Sequence, residues 1–214
     1  LNLISGIEKL DGGEIVFQKG EKKERNIGYV FQNYSNSLFP WLSVKENIAF
    51  PLKLGGINYC DRIKKVKSLC RQLGCNLDLN IYPYCLSSGQ QQLVAILRSI
   101  IIKPEIILMD EPFSSLDYYS ELFLLQFFSR IWEKIKTTVL FVSHNIDEAI
   151  FLAKRIMVLS DKPTKILEVF DNPIPYPREI QDIGSMRFLK IKKLILKVLA
   201  TQNSNFENLG GFAQ

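Results

Sequence analysis

Histidine is nearly missing: His144 is the only one in 214 residues. That excludes any metal centre built from several imidazoles. Cysteine is sparse as well. Cys60, Cys70, Cys75 and Cys85 stand 10, 5 and 10 residues apart with no CxxC pair. The spacing argues against a zinc site or a disulfide framework and for ordinary thiols in a reducing compartment. No apolar run approaches the ~18 residues that cross a bilayer, and no stretch reads as a secretory signal. Internal repeats and low-complexity segments are absent. Charge of one sign is not concentrated either. Lys and Arg number 27 against 22 Asp and Glu, a net charge of +5, and the basic pairs Lys22-Lys23, Lys64-Lys65 and Lys192-Lys193 are scattered. A nucleic-acid surface shows a denser patch, so no nucleic-acid partner is expected.

What is present is an ordinary globular composition. Hydrophobic residues at 47% and charged residues at 23% exclude a disordered chain. A mass of 24.6 kDa fits one large domain, or one domain with an inserted lobe. Leu1 to Ile7 reads as the tail of a helix closed by Gly6. Glu14 to Gln18 and Asn26 to Phe31 read as strands joined by a charged turn, Lys19 to Arg25. Asn33 to Trp41 reads as loop. Ser43 with Glu46 three residues on has the spacing of a capping box, and Pro51 bends or stops the helix so opened. Asp61 caps the next helix. From Asn33 to about Cys85 only helices are expected, which predicts a helical lobe inserted into an α/β domain.

A helix is expected from Gly89 to about Ile102, then a strand at Ile106-Ile107-Leu108-Met109 buried on both faces. A helix over about Ser120 to Lys134 and a second buried strand, Thr138 to Val142, follow. Asn145 to Ala153 reads as a short helix, and Ile156 to Leu159 and Lys165 to Phe170 as strands. Buried strands alternating with helices predict a parallel sheet with crossover helices. Asn172 to Pro177, with three prolines, reads as a linker, and Met186 to Ala200 as a basic amphipathic helix with a frayed tail beyond Thr201.

Four segments carry chemistry. Asp110 and Glu111 follow the strand Ile106 to Met109, where open α/β sheets bind ligands. Adjacent residues on an extended chain point to opposite sides. One carboxylate can hold a hydrated Mg²⁺ and the other can orient or deprotonate a water attacking a phosphate; a strand simply reaching solvent ends in acids equally well. His144 follows the strand Thr138 to Val142 and emerges at the same edge if the sheet is parallel. Ser87, Ser88, Gly89 and Gln90 open a helix whose N–H groups and dipole favour an anion, though plain N-capping by Ser87 or Ser88 explains them too. Gln32 ends the strand at Ile27 to Phe31, where its amide reaches a metal or water, or merely solvent.

In this order and spacing, the segments together resemble the nucleotide-binding subunit of an ATP-binding-cassette (ABC) transporter. Gln32 resembles the Q-loop, Leu86-Ser87-Ser88-Gly89-Gln90 the signature motif, and Ile106 to Glu111 the Walker B strand with its glutamate. Ser114-Ser115-Leu116-Asp117 resembles the D-loop and Ser143-His144 the switch histidine. The stretch from Leu38 to Ile48 is similar to the nitrate, sulfonate and taurine importers. The resemblance implies a P-loop NTPase-like α/β fold over residues 1–170 with a helical lobe at about 33–100, followed by a linker, helix and tail at 171–214. It implies ATP and Mg²⁺ as cofactors, with Asp110 and Gln32 toward the metal. Glu111, His144 and Gln32 would be catalytic, and Ser87, Ser88, Gly89, Gln90 and Asp117 would contact nucleotide across a dimer of identical cassettes. It further implies a membrane-spanning permease as partner and a peripheral place on the cytoplasmic face of the cell membrane.

Two departures stand out. None of the 12 glycines precedes a lysine, so the phosphate-binding loop GxxxxGK[ST] is not in these residues. The family sets that loop directly before a stretch resembling Leu1 to Gly6. The expectation is therefore a fragment of a normal ATPase, with a degraded, non-catalytic cassette as the alternative, and no tight ATP binding by the 214 residues alone. A soluble cassette acting on nucleic acid is the remaining rival. Ser88 stands where the family has glycine; if that position needs positive φ, the serine costs about 1 kcal/mol.

Overall fold

The computed structural model describes residues 1–17, 26–33, 37–135 and 137–202. It divides into two compact units. The first comprises Leu1–Leu124 with Lys134–Ser143, the second Leu125–Glu133 with His144–Gln214.

The first unit is built on a three-stranded parallel sheet in the order β1-β2-β3: β1 (Ile27–Val30), β2 (Ile106–Asp110) and β3 (Thr138–Val142). Ile27 pairs with Ile106, and Ile106 in turn with Thr138. The central strand β2 is all apolar before Asp110, and Ile107, Leu108 and Met109 are buried, as a strand covered on both faces requires. β3 differs from expectation. It lies at the edge of the three described strands, with Thr138 and Val142 exposed and the residues between them half-buried. An edge strand covers one side only, which an apolar run does not reveal.

Helices follow where the sequence placed caps. α1 (Asn2–Ser5) closes on Gly6 at φ 79, a left-handed cap that only glycine adopts at little cost. α2 (Val44–Leu54) starts at the expected box: the Ser43 N–H donates to Glu46 Oε2 at 2.9 Å. The helix does not stop at Pro51; it continues to Leu54, held by the burial of Val44, Ile48 and Leu52 on one face. α3 (Tyr59–Leu73) begins earlier than expected. Asn58, not Asp61, is its cap, because Asn58 Oδ1 accepts from Asp61 N–H at 3.0 Å while Asn58 Nδ2 donates to Asp61 Oδ2 at 2.7 Å. A short 3-10 turn (Pro83–Cys85) leads to α4 (Ser88–Ile100), whose Val94, Ile96, Leu97 and Ile100 are buried. Each such side chain stabilises by about 1.5–3 kcal/mol. No strand occurs among the described residues between β1 and β2.

Glu14 to Phe17 form no strand, contrary to expectation; Gln18 and the turn Lys19 to Arg25 lie outside the described residues. A strand exists only by pairing, and Ile27–Val30 pair with β2 rather than with this segment. Gly28 in β1 is required by packing. A Cβ there would stand 2.9 Å from the Ser99 carbonyl oxygen of α4.

α5 (Tyr118–Ile135) contributes residues to both units. The second unit also holds α6 (Ile146–Leu152), the hairpin β4 (Arg155–Leu159) and β5 (Ile166–Asp171), a 3-10 turn (Ile180–Gly184) and α7 (Met186–Gln202). β4 and β5 pair antiparallel in a sheet of their own, so the parallel pattern expected of alternating elements ends at β3. The expected linker Asn172 to Pro177 is not a free tether. Asn172, Ile174 and the following Arg178 are buried. α7 buries Phe188, Ile191 and Ile195, while Leu194 is exposed. The tail beyond Gln202 lies outside the described residues.

Candidate active site

The carboxyl edge of the parallel sheet gathers three of the expected residues. Val30 pairs with Met109; continuing that register by two residues sets Gln32 opposite Glu111. The side chains meet there: Gln32 Nε2 donates to Glu111 Oε2 at 3.0 Å. Asp110, the last residue of β2, is half-buried beside them. Tyr29 on β1 donates its hydroxyl to Asn2 Oδ1 at 2.9 Å. Burial, then the negative charges of Asp110 and Glu8, push the Tyr29 phenol above its ordinary value.

Glu111 has φ 42. A non-glycine residue in this left-handed region is costly and is kept only where its surroundings over-determine it. Here the Glu111 N–H donates to the Val142 carbonyl of β3 at 2.9 Å, and its carbonyl accepts from Ser114 N–H and Oγ at 3.3 and 3.1 Å. The chain thus turns sharply straight after Asp110.

The turn has a further tie that sequence reasoning missed. Gln92 of α4 is fully buried, and its Nε2 donates to the Pro112 carbonyl. Its Oε1 is buried with no hydrogen-bond partner. A glutamine midway along an apolar helix face was the available signal. Asn47 was missed for the same reason. Fully buried in α2, it accepts from Phe39 N–H at 2.8 Å and donates to the Phe39 and Leu42 carbonyls at 3.0 and 2.9 Å. It thereby fastens the loop that carries Trp41, which is 70% exposed. Beside that loop, Phe31, Phe39, Phe50, Pro51 and Arg98 line an open groove of about 530 Å³. Arg98 donates to the Ser37 carbonyl at 2.7 Å, and burial lowers its pKa.

Ser87 is the N-cap of α4: its Oγ accepts from Gln90 N–H at 3.3 Å, and Gln90 Oε1 accepts from Ser87 N–H at 3.0 Å. The plain capping role is therefore filled by these two residues. Ser88 is the first residue of the helix and is not among the residues with positive φ, so the strain considered for a serine there does not arise. Gly89 is buried, and a Cβ on it would lie 2.8 Å from the Ser120 Cβ of α5. Its role is close approach of two helix starts. Asp117 opens α5, accepting from Ser120 N–H at 3.0 Å. Hydrogen bonds from Ser120 hold its carboxyl below the ordinary carboxylate value. His144 is exposed and opens the second unit, two residues past the end of β3.

Among the described residues no three His, Cys, Asp or Glu side chains cluster as a metal cage. Asp110 and the neighbouring amide supply one or two hard oxygen donors, the number Mg²⁺ uses when phosphates and waters complete its shell. The residues present therefore fit Mg²⁺ carried with a nucleotide, while the phosphate cradle itself is not among them.

A parallel α/β sheet with acids and an amide gathered at its carboxyl edge is an arrangement that P-loop NTPases share with other open α/β folds. Solved structures agree. A dimeric post-hydrolysis ATP-binding cassette bound to ADP and Pi is 30% identical, with a TM-score of 0.61 over 79% of each chain. The fold alone is matched by the Clostridium perfringens protein cbiO1, part of the ABC transporter complex cbiONQ, at 23% identity and a TM-score of 0.68 over 94% of this chain and 79% of that one. The ABC transporter family model matches residues 1–114, and the chain belongs to that family as one of its ATP-binding cassettes. It is 39% identical to the aliphatic sulfonates import ATP-binding protein SsuB of Bacillus cereus, covering 92% of this chain and 76% of that protein. The taurine import ATP-binding protein TauB of Rhizobium johnstonii is 34% identical over 89% of this chain and 72% of its own length.

Proposed function

We propose that this chain is the ATP-hydrolysing, energy-coupling subunit of an ABC-type importer for anions of the sulfonate, taurine or nitrate kind. The observation that carries the reading is the Gln32–Glu111 hydrogen bond at the carboxyl edge of the sheet, next to Asp110. Relatives named for sulfonate and taurine import support the substrate class.

Asp110, with Gln32, would hold the magnesium of a bound nucleotide, and that ion would withdraw charge from the phosphate oxygens. Glu111 accepts the proton of the attacking water, and Gln32, hydrogen-bonded to it, fixes which way that carboxylate faces. His144 steadies the γ-phosphate. Ser87, Ser88, Gly89 and Gln90, at the start of α4, meet the γ-phosphate held by a second, identical cassette, with the N–H groups of Ser88 and Gly89 as its donors, and Asp117 crosses to that partner. The helical stretch at about 33–100 faces a membrane-spanning permease, with Trp41 and the adjoining groove as its seat, so the cassette lies on the cytoplasmic face of the membrane. No helix of the described residues is long and apolar enough to cross a membrane itself.

Turnover is expected only from a protein that also carries a GxxxxGK[ST] loop, because no glycine-lysine step occurs in these 214 residues. In such a protein Glu111→Gln lowers hydrolysis by about 10²–10⁴-fold and leaves ATP binding intact, whereas Asp110→Asn weakens Mg²⁺-dependent binding. Near-parental hydrolysis by Glu111→Gln would remove Glu111 from the mechanism. A cross-linker placed at Trp41 that never captures a membrane subunit would remove the proposed partner.

A further inference from the structure

α6 is only seven residues long, too short to be stable by itself. It follows His144 directly, with Asn145 as its N-cap accepting from Asp147 N–H at 2.9 Å. Both of its ends are held by residues from Asn172 to Lys192. At the C-terminus, Arg178 Nη1 donates to the carbonyls of Ile150, Phe151 and Ala153 at 2.7, 2.9 and 3.0 Å. Asn172 Nδ2 donates to those of Ile150 and Ala153, and the Tyr176 hydroxyl to that of Leu152. The carbonyls that a helix end leaves unpaired are thus met by a remote segment, and a cation sits at the negative end of the helix dipole. Arg178 is itself fixed: it is 1% exposed, its Nε and Nη2 donate to the Ile174 carbonyl, and its guanidinium lies 4.1 Å over the Tyr176 ring. At the N-terminal turn, Lys192 of α7 reaches both carboxylate oxygens of Asp147, at 2.7 and 2.8 Å. All of these residues belong to the second unit.

We propose that residues 172–192 act as a clamp on α6, and that Lys192 and Arg178 are positioning residues for His144. A two-turn helix gripped at both ends cannot rotate or slide, so the residue joined to its N-cap is held with it. Arg178 supplies the fixed end. Lys192, which is about a third exposed, supplies the end next to the histidine and is the one that a substitution can release without emptying the core. The relevance of this clamp to turnover rests on the role proposed above for His144; the clamp itself does not.

His144 is the only histidine of these 214 residues, so its imidazole NMR resonance, assigned by its loss in His144→Gln, reports the clamp directly. The full protein carrying the phosphate-binding loop is compared with Lys192→Met, Asp147→Asn, Lys192→Arg and Arg178→Lys. Lys192→Met and Asp147→Asn are expected to shift or broaden the imidazole signal. They are expected to lower kcat about threefold at unchanged KM for ATP, in keeping with a partly exposed ion pair. Lys192→Arg restores both readouts. Arg178→Lys, which keeps the charge but cannot span three carbonyls, perturbs the signal at least as much if it folds. An imidazole signal unmoved in both Lys192→Met and Asp147→Asn overturns the clamp whatever happens to turnover. A moved signal with normal kcat upholds the clamp and overturns the role of His144 in the reaction.

Discussion

Gln32 and Glu111, 79 residues apart in the chain, are joined by a 3.0 Å hydrogen bond from the amide nitrogen to the carboxylate. One lies two residues past the end of β1 and the other turns away from β2, so parallel pairing brings both to one edge. The bond sets the carboxylate's orientation while leaving it an acceptor, which is what a group receiving a proton from water needs.

The backbone at Glu111 is in the left-handed region at φ 42. Glycine adopts that conformation freely and alanine does not, by about 1–2 kcal/mol. Glu111→Gly is therefore expected to unfold at a higher temperature than Glu111→Ala, since both lose the Gln32 hydrogen bond and only alanine retains the strain. Calorimetry on the two variants checks this; equal midpoints would mean that the turn relaxes when the side chain is removed.

Gln92 ties α4 to the turn after Glu111. Gln92→Leu removes an unpartnered buried oxygen but leaves the Pro112 carbonyl without its donor, each worth about 1–3 kcal/mol with opposite sign. The expected outcome is a small change in urea midpoint together with a clear loss of turnover in the loop-bearing protein. A large stability loss with normal specific activity would make Gln92 a packing residue only.

Gly89→Ala places a methyl 2.8 Å from the Ser120 Cβ. Overpacking of this kind costs about 1–3 kcal/mol. Ser120→Gly, combined with it, removes the opposing atom and should recover most of the loss after allowing for the effect of Ser120→Gly alone. Chemical denaturation of the four members of this cycle measures the coupling, and strict additivity would contradict the contact.

Hydrogen bonds from the Ser43 side chain and backbone hold the Glu46 carboxyl below its ordinary value of 4.5. A carboxylate depressed on folding stabilises the fold fully above its unfolded value, and that contribution disappears as pH falls through the lower folded value. Glu46→Gln preserves the shape of the capping box but not the charge. The stability difference between parent and variant should be constant at neutral pH and shrink once pH drops below about 4.5. A difference that stays constant through that range would show that the charge has no part in the cap.

The sequence by itself determined what depends on neighbours three or four residues apart, or on a single strand's composition. The Ser43–Glu46 box, the helix close at Gly6, the apolar β2 leading into Asp110 and Glu111, and the ordered motifs of an ABC cassette were all legible there. These features need few partners, and the side chains that make them are close in the chain. Tertiary structure decided the rest. It paired Gln32 with Glu111, set the sign of φ at Glu111, and required glycine at position 89 because Ser120 lies against it. It formed no strand from Glu14 to Phe17, turned β4 and β5 into an antiparallel hairpin, and made Arg178, just after what reads as a linker, a buried helix cap. Each of these depends on which distant backbone or side chain arrives opposite a residue. Local pattern carries no record of that, because a hydrogen bond or a steric contact is fixed by position in space and not by separation along the chain.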